Sequence, residues 1–73
     1  MTKEQIKKAR IALGLTQRKI SDLMGVNIKL WQKWEYGSQG ISAAPAKFLK
    51  LLVVLDEIGI LRKCMEMVEN DNA

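Results

Sequence analysis

GLTQRKISDLMGVNIKLWQKWEYG, residues 14–37, decides the fold. Gly14, Gly25 and Gly37 divide it into two short segments, each with apolar residues at helical spacing. Thr16 is placed to cap a helix over residues 17–24, with Ile20, Leu23 and Met24 along its inner face. Gly25 supplies the positive φ of a sharp turn. Asn27 caps a second helix over 28–36, which Gly37 closes. At 100° per residue, Trp31 and Trp34 fall on one side of that helix, with Glu35 next to Trp31. Lys29, Gln32, Lys33 and Tyr36 occupy the opposite arc. The tryptophans are therefore read as core anchors, leaving two lysines, an amide and a phenol on the outside.

Working outward, Thr2 and Gln5 form a T-x-x-Q capping box for a helix from Lys3 to about Leu13, with Ile6, Ala9 and Leu13 on one face. Gly14 ends it, and Leu15 folds back onto it. Residues 38–41 read as a loop. Ser42 is the expected cap of a fourth helix, in whose first turn Pro45 loses no hydrogen bond. Gly59 interrupts the pattern, and a fifth helix is expected over 60–68, with a frayed tail after it. There is no strand pattern and no internal repeat. The expectation is an all-α domain, a compact five-helix bundle spanning residues 1–73.

Composition narrows the function classes. The chain has 73 residues, one cysteine and no histidine. It is one small domain without an internal disulfide and poorly equipped for zinc. Cys64 reads most simply as a small buried hydrophobe. No metal or other cofactor is expected. The apolar runs are far shorter than the roughly 20 residues that span a bilayer, and the charged amino terminus lacks a signal peptide's apolar core. A cytoplasmic protein with no membrane partner is expected. An enzyme is poorly supported, with no histidine, no paired carboxylates in a plausible cleft and no phosphate-cradling glycine loop.

Net charge is +4, but unevenly spread. Residues 1–50 hold ten Lys/Arg against three acids, whereas residues 51–73 hold two against five. A basic body with an acidic end suggests that only the first part faces a polyanion. A helix bearing Lys and Gln on its outer arc suits the major groove of B-DNA, where Lys donates to guanine O6/N7 and Gln pairs with adenine N6/N7.

Over residues 3–52 the chain resembles the helix-turn-helix domain of the Xre/Cro family of transcriptional regulators, which includes phage repressors. The matching residues are Arg10, Gly14-Leu15-Thr16-Gln17, Ile20, Leu23, Gly25-Val26-Asn27, Trp31, Trp34-Glu35 and Gly37, spaced without gaps. The resemblance implies a lambda repressor-like fold whose third helix reads the major groove, with base contacts from Ile28, Lys29, Gln32 and Lys33. It implies a phosphate contact from Gln17, at a helix N-terminus that already favours anions. Further phosphate contacts are expected from Arg18, Lys19, Asn27, Tyr36 and Ser38. It also implies a structural pair between Arg10 and Glu35. The chain departs from the family pattern at Ser21, usually Ala, and at Leu30, usually Ser or Thr. The loop Ser38-Gln39-Gly40 lacks the Lys or Arg often found there, which shifts more of the load to Lys7, Lys8, Arg18 and Lys19.

The region after residue 50 carries more apolar side chains than one small bundle hides. Leu51, Val54, Leu55, Ile58, Leu61, Met65 and Val68 are read as a self-association surface, and a helical dimerisation element is placed over about 53–69. A dimer reads two half-sites about 34–36 Å apart on one duplex face. The rival reading packs the fifth helix inside a monomer. The leading expectation is a homodimeric, sequence-specific repressor on an inverted-repeat operator in double-stranded DNA. The alternative is a module that binds a partner protein, antitoxin-like, with DNA binding secondary.

Overall fold

The structure is a computed structural model that describes residues 1–71. Five helices follow one another: α1 (Lys3–Ala12), α2 (Gln17–Met24), α3 (Ile28–Tyr36), α4 (Ala43–Glu57) and α5 (Leu61–Asp71). Among the described residues there is no strand. Among the described residues no helix is long and apolar enough to cross a membrane.

Local chemistry sets the helix ends. The Gln5 N–H donates to Thr2 Oγ1 at 3.2 Å and the Thr2 N–H to Gln5 Oε1 at 2.9 Å, completing the capping box of α1. Thr16 Oγ1 accepts from the Lys19 N–H at 3.1 Å, and Asn27 Oδ1 from the Lys29 N–H at 2.8 Å. Between α2 and α3, Gly25 takes φ +71°, and the Val26 N–H reaches back to the Ser21 carbonyl at 3.0 Å. That closure turns the chain within three residues and fixes the angle at which α3 leaves α2. Two ends differ from expectation. Ser42 occupies the cap position of α4, but its side chain makes no capping bond. The fifth helix starts one residue late and continues through Asp71, so Glu69 and Asn70, expected to fray, are helical. Asn72 and Ala73, the rest of that expected tail, lie outside the described residues.

The core is Ile6 and Ala9 of α1, Ile20 of α2, Trp31 and Trp34 of α3, Leu49 and Leu52 of α4, and Leu61 of α5. α3 packs against both α1 and α2, while α4 closes the other side of α1 and α2 and carries α5. The two indoles meet edge to face, with centroids 6.0 Å apart and planes at 71°. That geometry adds about 0.5–1.5 kcal/mol beyond their burial. At the foot of α3, Gly37 sits at φ +83°, and a Cβ there would come within 2.8 Å of Lys3 Cδ. The start of α1 thus lies directly against the end of α3.

Leu61 requires a correction. The sequence reading gave it to a self-association surface, but it is buried in the chain's own core. Gly59 lets the chain turn back so that the first residue of α5 covers the bundle's open end. Leu55 and Met65 are half-buried against the same core. Leu51, Val54, Ile58 and Val68 remain exposed. The predicted interface therefore divides into residues that finish the monomer and residues that do not.

Candidate nucleic-acid interface

The site is the outward face of α3 with the first turn of α2 beside it. Trp31, Trp34 and Glu35 point inward and are buried. Lys29, Lys33 and Tyr36 are exposed, and Ile28 and Gln32 are half-buried at the edge of the same face. Arg18 and Lys19 are exposed on α2, Asn27 on the turn, and Ser38 just after α3. Asn27 has its side-chain oxygen committed to capping, and Ser38 Oγ donates to the Lys33 carbonyl at 3.4 Å. Leu30 is half-buried and packs against the core, so this departure from the family pattern serves cohesion. Ser21 is buried, with its hydroxyl donating to the Arg18 carbonyl at 2.7 Å, and so carries no unpaired polar cost.

Behind this face lies a polar hub. The Glu35 carboxylate accepts from Arg10 Nη2 at 2.8 Å and from Arg10 Nε at 3.1 and 3.2 Å. It also accepts from Trp31 Nε1 at 2.8 Å and from Gln17 Nε2 at 2.9 Å. Arg10 Nη1 donates to the Leu15 carbonyl at 3.1 Å, tying the loop after α1 into the hub. No buried side-chain nitrogen or oxygen among the described residues lacks a partner. Burial would raise the Glu35 pKa, but the hydrogen bonds from Arg10, Gln17 and Trp31 and the Arg10 charge outweigh it. The carboxyl is held below its usual range.

Gln17 extends the hub to the surface. Its amide nitrogen donates to Tyr36 Oη at 3.2 Å as well as to Glu35, and its oxygen accepts from Gln32 Nε2 at 3.2 Å. The residue that the resemblance assigns to a phosphate is thus already engaged on both ends of its amide. In this arrangement Gln17 orients Gln32 and Tyr36 on the outer face. Sequence reasoning missed that role, because it depends on how α2 and α3 meet, 15 to 19 residues apart in the chain. It also missed the Trp31–Glu35 bond, although the spacing of four on one helix was a visible signal.

The Arg10–Glu35 pair implied by the resemblance is formed, with Arg10 slightly exposed and Glu35 buried. It is the only ion pair among the described residues. Lys29, Lys33, Arg18 and Lys19 therefore present charges that no acidic side chain of the described residues neutralises. A face of uncompensated cations is electrostatically suited to a polyanion. No group of three or more His, Cys, Asp or Glu side chains among the described residues is arranged to hold a metal ion. Comparison with protein-family models, curated proteins and solved structures finds no match to this chain.

Proposed function

We propose that this chain is a sequence-specific regulator of transcription that binds double-stranded DNA as a homodimer. In this reading α2, the Gly25 turn and α3 form a helix-turn-helix, and α3 enters the major groove over each half of an inverted repeat. The carrying observation is the division of α3. Its inner side is locked by two buried tryptophans and the Glu35 hub, and its outer side displays Lys29, Gln32, Lys33 and Tyr36 together. A rigid helix with two uncommitted lysines beside a positioned amide and phenol suits base readout.

The roles follow from chemistry. Lys33 and Lys29 donate to base-edge acceptors or to the groove wall. Gln32, steadied by Gln17, presents a directional amide. Arg18 and Lys19, at the start of α2, are set to meet the backbone, and the first-turn amides of α2 add partial positive charge there. Occupying a promoter in this way represses it without a cofactor.

Selection of bound sequences from random duplex DNA tests the reading. A palindromic motif with half-sites one helical turn apart is the expected result, with affinity falling steeply as salt rises. Lys33→Ala should reduce discrimination at one base pair of each half-site by about 1–3 kcal/mol. Failure to enrich any motif at low salt rejects the proposal.

A further inference from the structure

The hydrogen-bond chain from Glu35 out to Gln32 has a direction, and its inner end sets it. An ionised carboxylate only accepts, so the Gln17 amide meets Glu35 with its nitrogen, at 2.9 Å. The Gln17 oxygen is thereby turned outward, where it suits only a donor. Gln32 answers with Nε2 at 3.2 Å. The Gln17 nitrogen also donates to Tyr36 Oη at 3.2 Å. Both of its N–H groups are therefore committed within the chain, and neither is left for a phosphate. Gln32 is committed only in part. One N–H goes to Gln17, while its other N–H and its oxygen have no partner among the described residues.

We infer that Gln17 is a positioning residue for base recognition rather than a phosphate ligand, and that it restricts Gln32 to adenine; the inference rests on the DNA-binding reading proposed above. A freely turning amide can donate to guanine, or donate to adenine N7 while accepting from N6. The held amide of Gln32 offers one donor beside one acceptor. Adenine is the base whose major-groove edge pairs one acceptor, N7, with one donor, the N6 amino group. At guanine the same pose sets the amide oxygen against O6, lone pair against lone pair. Turning Gln32 over would set its oxygen against that of Gln17. Turning Gln17 over as well would set an oxygen against the Glu35 carboxylate, which is buried and cannot donate. Each step away from adenine thus breaks a bond that the buried charge holds in place.

Selection from random duplex DNA, run on wild type, Gln17→Met, Gln32→Ala and the double variant, tests the assignment. Methionine keeps the length of Gln17 and removes its amide. Gln32→Ala marks the base pair that Gln32 reads, which should be an A·T pair. Gln17→Met should lower the preference for adenine over guanine at that same position by about tenfold. The other positions and the salt dependence of non-specific binding should stay as in wild type. In the double variant Gln17→Met should add nothing at that position. A second readout needs no DNA: the side-chain amide signal of Gln32 in the free protein should move to that of a solvated glutamine in Gln17→Met. A uniform loss of affinity with base preference intact makes Gln17 a phosphate ligand and overturns the inference. An unmoved Gln32 signal, or a Gln32 position that selects a base pair other than A·T, also overturns it. A wild type that enriches no motif rejects the DNA reading and the inference together, whereas failure confined to the variants rejects the inference alone.

Discussion

The Arg10–Glu35 hub and the outer side of α4 solve opposite problems. In the hub, a buried charge, an indole, an amide and a guanidinium converge, and every polar atom finds a partner inside the same chain. On α4, the apolar side chains outnumber the surface available to cover them, and several stay in contact with water. The first region is complete in one copy. The second is not. Directional groups, which cost free energy when unpaired, have been satisfied internally, and the unsatisfied remainder is the non-directional kind that a neighbour readily covers.

The sharpest way to break the contrast is at its centre. Trp31→Ala removes a fully buried ring and the indole donor to Glu35, and should cost about 3–5 kcal/mol. That is comparable to the whole stability of a domain this size, at roughly 0.05–0.15 kcal/mol per residue. Thermal melts should show little or no cooperative unfolding. Next comes the ion pair. Arg10→Ala leaves a buried carboxylate with fewer donors and should cost roughly 2–4 kcal/mol, discounted from the figure for fully buried pairs because Arg10 is partly exposed. Replacing Arg10 with leucine and Glu35 with glutamine should cost less than Arg10→Ala alone, because no charge is left stranded and the Trp31 indole N–H keeps an acceptor. If the double variant is the weaker, the hub is not the closed unit described.

The same hub sets an acid limb. A carboxyl whose folded pKa lies below its unfolded one contributes stability that is fully present above the ordinary carboxylate pKa of about 4.3. That contribution is lost as pH falls through the lowered folded value. Chemical denaturation should therefore show a plateau from neutrality to about pH 5 and a decline below it. Glu35→Gln should flatten part of that decline. The smallest effect sharpens the other side of the comparison. Leu51→Lys should change the stability of the isolated chain by no more than about 0.5 kcal/mol, measured below the concentration at which wild type associates. A larger loss would mean that the outer side of α4 supports the monomer after all.

The helices were legible because their limits are local. Thr2 with Gln5, Thr16, Asn27 and the glycines act within a few residues of themselves, and α2 and α3 begin and end where those signals put them. The division of α3 was legible for the same reason, since one helix wheel is enough to separate Trp31 and Trp34 from Lys29 and Lys33. What escaped depends on distant elements meeting. Nothing near Gln17 in sequence says that Glu35, Tyr36 and Gln32 will surround its amide. Leu61 looked surplus on its own helix and became core only because Gly59 returns the chain to the bundle's end. Ser42 had the chemistry of a cap but not the side-chain geometry.

The bond from the Trp31 indole to Glu35 also gives the molecule an internal optical probe. An indole N–H held 2.8 Å from a carboxylate is sensitive to that group's charge, and Trp34 lies edge-on to the same ring. Emission and near-ultraviolet dichroism therefore report on the electrostatic centre itself. Protonation or a lost guanidinium would each colour the signal without any dye, label or added chromophore.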